Sequence, residues 1–89
     1  MAPILMMILE DCPYCRRALD YMEELKEEYP EYRDIPVQIA DENKEKKLAD
    51  SLDYYYVPTY YVDGKKVHEG AADKRQVKAV LDRALMGRG

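Results

Sequence analysis

The fold of this chain is decided by residues 4–15, which read ILMMILEDCPYC. The apolar run over residues 4–9 is short, continuous and without alternation, so it predicts a strand that is buried on both faces. A helical pattern begins directly after Cys12, and Pro13 suits the first turn of a helix because its missing N–H is not needed there. The stretch therefore predicts a buried strand that leads into a helix carrying two cysteines.

The two cysteines lie three positions apart at the start of that helix. At this spacing Cys12 and Cys15 share one helical face and are close enough to form a disulfide. Cys12 is expected at the helix N-terminus, where unpaired N–H groups and the helix dipole stabilise a thiolate. A stabilised thiolate beside a second thiol is the reactive part of a disulfide-exchange enzyme. The pair therefore predicts a redox-active disulfide with Cys12 as the nucleophile.

Two other uses of a C-x-x-C pair fit the rest of the sequence less well. A zinc site needs two further ligands, but the chain has no third cysteine and a single histidine, His68. His68 itself is expected to be a surface residue of a strand rather than a catalytic base. A structural disulfide between such near neighbours would close almost no loop and would add little stability. We therefore expect no metal at the cysteines.

Length and charge limit the classes of protein to which the chain can belong. Its 89 residues predict a single domain over residues 1–89, and its formal net charge of −4 argues against binding to nucleic acid. The apolar run is too short to cross a bilayer, and no charged segment precedes it as in a signal peptide, so no membrane association is expected. Two cysteines in such a chain indicate a reducing compartment, and the expected location is the cytoplasm.

The first half of the chain predicts a strand–helix–strand unit followed by a short helix. The first helix is expected over residues 13–29, since Pro30 disfavours helix at the residue before it. The alternating apolar residues of the 35–39 segment predict a second strand near the edge of a sheet. It should run parallel to the first strand, because one crossover helix joins the two. Asp41 or Asn43 is expected to cap a short, charged second helix.

The second half of the chain predicts a β-hairpin and a final helix. The β-rich run over residues 59–62 is followed by Asp63-Gly64, the signature of a tight hairpin turn. The segment after the turn is typical of an antiparallel edge strand. Asp73 is expected to cap the last helix and Gly87 to end it.

The order of these elements, together with Cys12-Pro13-Tyr14-Cys15, resembles the glutaredoxins, which are small members of the thioredoxin-like superfamily. The resemblance covers residues 4–85 and implies an α/β, thioredoxin-like (glutaredoxin-type) fold. That fold is a four-stranded mixed sheet flanked by three helices, in the order β-α-β-α-β-β-α. The resemblance also implies a thiol–disulfide oxidoreductase that reduces protein or glutathione-mixed disulfides. Cys12 would attack the substrate, and Cys15 would then resolve the mixed disulfide.

The resemblance implies further contacts around the dithiol. The family's proline at the position of Pro58 is cis and packs against the cysteines. The backbone at Val57 pairs with the substrate or with glutathione, like a short added strand. Gly70 and Asp73 match a glycine and an acid that hold the γ-glutamyl end of glutathione, and Tyr14 is expected to flank the pocket.

Two clusters near the cysteines each allow two interpretations. The three tyrosines over residues 54–56 can form an aromatic rim that docks a partner's chain, or they can pack at the edge of the core. Arg16 and Arg17 can be a solvated pair, or they can help to hold Cys12 ionised. The sequence leaves both questions open.

The chain departs from the glutaredoxin pattern at two places that concern glutathione. Of the usual Gly-Gly pair only Gly70 is kept, and Glu10 and Asp11 replace a common cation, so they would repel the glycyl carboxylate.

Glutathione is the expected reductant, with thioredoxin reductase as the alternative, and no tightly bound cofactor is expected. The expected partners are protein disulfide substrates, and the chain is expected to be a monomer. A carrier of an iron–sulfur cluster or metal is an alternative of another class, which the proline between the cysteines disfavours.

Overall fold

The computed structural model describes residues 1–87, so the last two residues of the predicted 1–89 domain lie outside the described range. Within this range the chain forms four strands, three α-helices and one 3-10 helix. In chain order they are β1 (Ile4–Ile8), α1 (Pro13–Glu28), the 3-10 helix (Pro30–Asp34), β2 (Val37–Asp41), α2 (Lys46–Asp50), β3 (Thr59–Val62), β4 (Lys65–Glu69) and α3 (Lys74–Met86).

The four strands form one mixed sheet in the order β2-β1-β3-β4. β1 runs parallel to β2 and antiparallel to β3, and β3 runs antiparallel to β4. The parallel pairing of β1 with β2 follows from the crossover through α1. The predicted thioredoxin-like fold, with its four-stranded mixed sheet and three helices, is therefore confirmed. The predicted edge positions of β2 and β4 are confirmed as well.

β1 is buried because it lies inside the sheet and both of its faces are covered. Met6 contributes to the larger core, which α1 and α3 cover, and Met7 contributes to a smaller core on the α2 side. This two-sided burial explains why the strand is apolar without alternation. The buried apolar residues of α1 and α3 in the larger core are Ala18, Met22, Leu25, Val77, Val80, Leu81 and Ala84.

The 3-10 helix is an element that the local sequence signals do not predict. α1 ends at Glu28, and the 3-10 helix begins at Pro30. Tyr32 is buried within it, and its hydroxyl donates a hydrogen bond to Asp82 of α3. This contact between distant parts of the chain packs the connection to β2 into the core.

β2 begins later than predicted, and one of its apolar residues is exposed. The strand begins at Val37 rather than Ile35. Ile39 pairs in register with Met6 and is 49% exposed, whereas the next residue, Ala40, is buried. Ile39 stays exposed because β2 is an edge strand and a cleft opens between it and α1.

Asp41 does not cap α2, and neither does Asn43, so this prediction is wrong. α2 follows Glu45, which makes no side-chain capping hydrogen bond. The Asp41 carboxylate instead accepts hydrogen bonds from the N–H of Asn43 at 2.8 Å and from the N–H of Glu10 at 2.9 Å. These bonds join the turn after β2 to the loop that leads from β1 into α1.

α3 begins and ends at the predicted residues. The Asp73 carboxylate accepts the N–H of Gln76 at 2.8 Å, and the Gln76 side chain accepts the N–H of Asp73 at 2.9 Å. This reciprocal arrangement is a capping box. Gly87 occupies the C-cap position, and its N–H donates to the carbonyl of Ala84.

The capping box predicts the effect of removing the Asp73 side chain. The Asp73→Ala variant should lose about 1 kcal/mol of unfolding free energy, because the N–H of Gln76 loses its acceptor. Urea unfolding followed by circular dichroism measures this loss. Arg75→Ala, at an exposed position in the same turn, is the control and should change stability by less than about 0.5 kcal/mol. Equal stability of the two variants would contradict the capping role.

Candidate active site

Cys12 is the N-cap residue of α1 and has an extended backbone, with φ −87° and ψ 115°. Its N–H donates to the carbonyl of Leu9, and its carbonyl accepts the N–H of Arg16, each at 3.1 Å. Its Sγ lies 4.0 Å from the carbonyl oxygen of Val57, a long contact for a thiol donor. The half-buried sulfur therefore lies at the helix N-terminus and faces the loop before β3.

Cys15 lies in the first turn of α1 and is only 1% exposed. Burial raises the pKa of this thiol to about 12, with a backbone hydrogen bond from Leu9 acting in the opposite direction. A hydrogen bond with Cys12 and the charge of Cys12 raise the pKa further. Both cysteines are free thiols in the structure. The two sulfurs therefore differ in access to solvent, as the predicted attacking and resolving roles require.

The loop before β3 carries the second part of the site. The Val57–Pro58 peptide bond is cis, as the family resemblance predicts. Pro58 is buried, and its carbonyl accepts the N–H of Gly70 at 2.8 Å. Gly70 has a φ of +91°, a conformation that favours glycine. The hydrogen bond from Gly70 therefore fixes the loop before β3 at Pro58.

Val57 presents its backbone towards Cys12. Its carbonyl faces the Cys12 sulfur, and within residues 1–87 its N–H has no hydrogen-bond partner. A free N–H beside the reactive sulfur is the group that an added strand would use.

The three tyrosines over residues 54–56 differ in burial. Tyr54 is half-buried, packs against the smaller core and donates a hydrogen bond to Glu42 at 3.4 Å. Burial, followed by the charge of Glu42, raises the pKa of Tyr54 to about 12. Tyr55 and Tyr56 are 86% and 69% exposed, and Tyr14 beside Cys12 is 54% exposed. Tyr54 thus belongs to the edge of the core, and the other two remain on the surface.

Two clefts lie beside the cysteines. A cleft of about 740 Å³ between α1 and β2 is lined by Cys15, Arg16 and Ile39 among others. A second cleft of about 360 Å³ is lined by Cys12 and by Glu10 and Asp11, the acids that replace the expected cation. The two clefts beside the dithiol therefore carry side chains of both charges.

Glu10 forms an ion pair that the sequence does not predict. Its carboxylate lies 3.4 Å from Nζ of Lys44, and both side chains are exposed. An exposed ion pair of this kind is worth little energy, but it lowers the net negative charge near Cys12. Arg16, at the end of the first turn of α1, and Arg17, directly after it, are both exposed.

Gly70 and Asp73 lie in different surroundings. Asp73 lines a cleft of about 300 Å³ with Tyr14 and Arg17. Its carboxylate also caps α3, whereas Gly70 supports Pro58. The structure thus brings together Cys12, Val57 and Pro58, and it places Tyr14 with Asp73 in a neighbouring cleft.

Glu69 contacts the loop before β3, and the sequence did not predict this contact. Its Oε2 accepts the N–H of Tyr55 at 2.6 Å and the N–H of Tyr56 at 3.0 Å. The residue follows His68 in β4, and only the pairing of β3 with β4 brings it to this loop. His68 lies outside the group around Cys12, and its Nε2 is 3.1 Å from the carbonyl oxygen of Ala71.

Neither a metal centre nor a membrane span is evident in the part of the chain that the structure describes. Over residues 1–87, no group of three or more His, Cys, Asp and Glu side chains is placed to hold a metal ion. No helix in that range is both long and apolar enough to cross a bilayer.

Comparison with known proteins identifies the fold independently. A family model described as a thioredoxin domain matches residues 4–82. Similar solved structures include oxidised thioredoxin from Plasmodium falciparum, with 19% identity and a TM-score of 0.71, covering 92% of this chain and 79% of that one. Thioredoxin O1 from Arabidopsis thaliana has 22% identity and a TM-score of 0.70, covering 93% and 77%. A mutant thioredoxin from Halobacterium salinarum has 22% identity and a TM-score of 0.69, covering 99% and 78%. A search of curated protein sequences gave no match.

The burial of Cys15 predicts how this thiol titrates. In the Cys12→Ser variant, thiolate absorbance at 240 nm should show no ionisation step between pH 5 and 9. The sign follows from burial, which penalises the charged thiolate, is the largest cause of the raised pKa and remains when the contributions of Cys12 are removed. Cys15→Ser, which retains the half-buried Cys12 thiol, is the matched control. A Cys15 step below pH 9 in the folded variant would contradict its burial.

Proposed function

Because the chain belongs to the thioredoxin-domain family, we propose that it is a thiol–disulfide oxidoreductase that works through Cys12 and Cys15. One observation carries the proposal: an accessible sulfur at a helix N-terminus faces the Val57 backbone, and a second thiol is buried one turn behind it. Helix N-termini stabilise the thiolate form, which is the nucleophile in disulfide exchange.

The reaction would proceed in two exchanges of sulfur bonds. The Cys12 thiolate attacks one sulfur of the substrate disulfide, so that a mixed disulfide forms and the other substrate sulfur leaves as a thiolate. Cys15 then loses its proton to water and attacks the Cys12 sulfur. The mixed disulfide breaks, the second substrate thiol is released, and a Cys12–Cys15 disulfide remains. Two electrons have then passed to the substrate, and an external thiol reductant restores the dithiol.

The Val57 backbone would align the substrate during the first exchange. An extended segment that pairs with the free N–H of Val57 lies beside the Cys12 sulfur, as in the addition of a strand to a sheet edge. Tyr14 flanks the same approach and is exposed. This arrangement favours polypeptide disulfides or glutathione-mixed disulfides as substrates.

We propose glutathione as the reductant, in the manner of glutaredoxins, with thioredoxin reductase as the alternative. The Cys-Pro-Tyr-Cys sequence and the cleft lined by Asp73 and Arg17 support glutathione. Glu10 and Asp11 oppose an anionic reductant, and the pairing of Glu10 with Lys44 reduces that opposition. Action as a monomer in the cytoplasm, without a tightly bound cofactor, is part of the same proposal.

The two cysteine variants test the proposed roles. Cys12→Ser should abolish reduction of a protein disulfide, because Cys15 is buried and cannot replace the more accessible Cys12 as the nucleophile. Cys15→Ser should still attack but should accumulate a protein mixed disulfide, which mass spectrometry detects as a covalent adduct. Retention of protein disulfide reduction by Cys12→Ser would show that the roles are assigned wrongly.

The same assay identifies the electron donor when NADPH consumption is followed with two donor systems. Glutathione with glutathione reductase should support turnover of the wild type, and thioredoxin reductase alone should support less. Turnover with thioredoxin reductase only would contradict glutathione as the reductant and would leave the dithiol chemistry intact.

A further inference from the structure

The loop that carries Tyr55 and Tyr56 is fixed by one carboxylate of the neighbouring strand. Oε2 of Glu69 accepts the N–H groups of both tyrosines, at 2.6 and 3.0 Å. Oε1 of Glu69 accepts a hydrogen bond from Nζ of Lys66 at 2.7 Å. Lys66 also donates to the carbonyl of Asp53 at 3.0 Å. The pair therefore contacts this loop at three backbone groups, and we call it the Lys66–Glu69 clamp.

The clamp is charged under all ordinary conditions. The hydrogen bond from Lys66, followed by that from the N–H of Tyr55, lowers the pKa of Glu69 to about 2. The carboxylate is therefore ionised at neutral pH, and hydrogen bonds from backbone N–H groups to an ionised acceptor are stronger than those to a neutral one. Loss of the negative charge at Glu69 should weaken both contacts with the loop.

The rest of the loop is fixed by separate hydrogen bonds. The hydroxyl of Thr59 donates to the carbonyl of Tyr56, and the N–H of Gly70 donates to the carbonyl of Pro58. These bonds hold the segment next to Cys12 without help from the clamp. The clamp thus acts on the part of the loop that carries the two exposed tyrosines, and the reactive sulfur is supported independently.

Tyr55 and Tyr56 directly precede Val57, whose carbonyl faces the Cys12 sulfur. Both side chains are well exposed although their backbone is fixed. A tyrosine offers a large contact area with little side-chain entropy to lose, and a loop that is already ordered does not pay its ordering cost on binding. A polypeptide that pairs with the Val57 backbone runs next to these two residues in the loop, whereas a small disulfide needs only to reach the Cys12 sulfur.

We propose that Glu69 is a specificity-determining positioning residue, which holds Tyr55 and Tyr56 as a preformed docking surface for polypeptide disulfides. The proposal rests on the proposed function, because it assumes that Cys12 attacks disulfides. The clamp acts on binding of the polypeptide and leaves the chemistry at the sulfur unchanged.

The test compares two disulfides in single turnovers of the pre-reduced protein, so that no electron donor is involved. The substrates are insulin, a polypeptide disulfide, and Ellman's reagent, a small aromatic disulfide. Observed rate against substrate concentration gives an apparent dissociation constant and a limiting rate for each. The variants are Glu69→Gln and Lys66→Met, and Glu31→Gln on the distant 3-10 helix is the matched control for loss of a glutamate charge.

Glu69→Gln should raise the apparent dissociation constant for insulin by about tenfold, since the loop must then be ordered on binding. The limiting rate, and the reaction with Ellman's reagent, should change by less than about twofold. Lys66→Met should act in the same direction with a smaller effect, and Glu31→Gln should match the wild type. Amide hydrogen exchange at Tyr55 and Tyr56 should accelerate in Glu69→Gln, accelerate less in Lys66→Met and stay unchanged in Glu31→Gln.

Three outcomes would contradict the proposed role of Glu69. They are unchanged insulin binding in folded Glu69→Gln, an equal loss of affinity for both substrates, and unchanged hydrogen exchange at the amides of Tyr55 and Tyr56. Failure of the proposed oxidoreductase function would give a different result. In that case the wild type itself reduces neither insulin nor Ellman's reagent at a rate that depends on Cys12.

Discussion

The site depends on the packing of α1 against the sheet, which buries Cys15 and leaves Cys12 at the helix end. Cys15 continues the apolar face formed by Ala18, Met22 and Leu25, and all four are buried. Since the N-cap precedes that face, Cys12 is free to meet the loop before β3. The difference between the two sulfurs is thus a consequence of helix geometry and core packing. Their chemistry, with one thiol accessible and the other with a raised pKa, follows from this difference.

The hairpin of β3 and β4 supplies the other half of the site. Its pairing returns the chain to the cis-proline loop, where Glu69 and Gly70 contact successive parts of that loop. The end of an edge strand and the glycine after it therefore support two successive parts of the loop, first Tyr55 and Tyr56 and then Pro58. This explains how a loop with three consecutive tyrosines keeps two of them on the surface while its backbone remains fixed.

Features encoded by short-range signals could be predicted from the sequence. They include β1, the start of α1, the Asp63-Gly64 turn, with φ of 52° and 79°, and the Asp73 cap. Three features depend on which distant elements pack together, so no local pattern could show them. They are the exposure of Ile39, the 3-10 helix around Tyr32 and the contacts of Glu69. The resemblance correctly predicted the cis proline. The comparisons support the broader thioredoxin-domain family, and the glutaredoxin type remains a prediction.

The most direct test of the account is the order in which the two cysteines react in the folded, reduced protein. The protein is treated with one equivalent of iodoacetamide at pH 7, and peptide mapping by mass spectrometry locates the label. We predict that Cys12 carries nearly all of it and that Cys15 remains a thiol until the protein is denatured, when both react. Equal labelling of the two cysteines in the folded protein, or preferential labelling of Cys15, would contradict the asymmetry on which the mechanism depends.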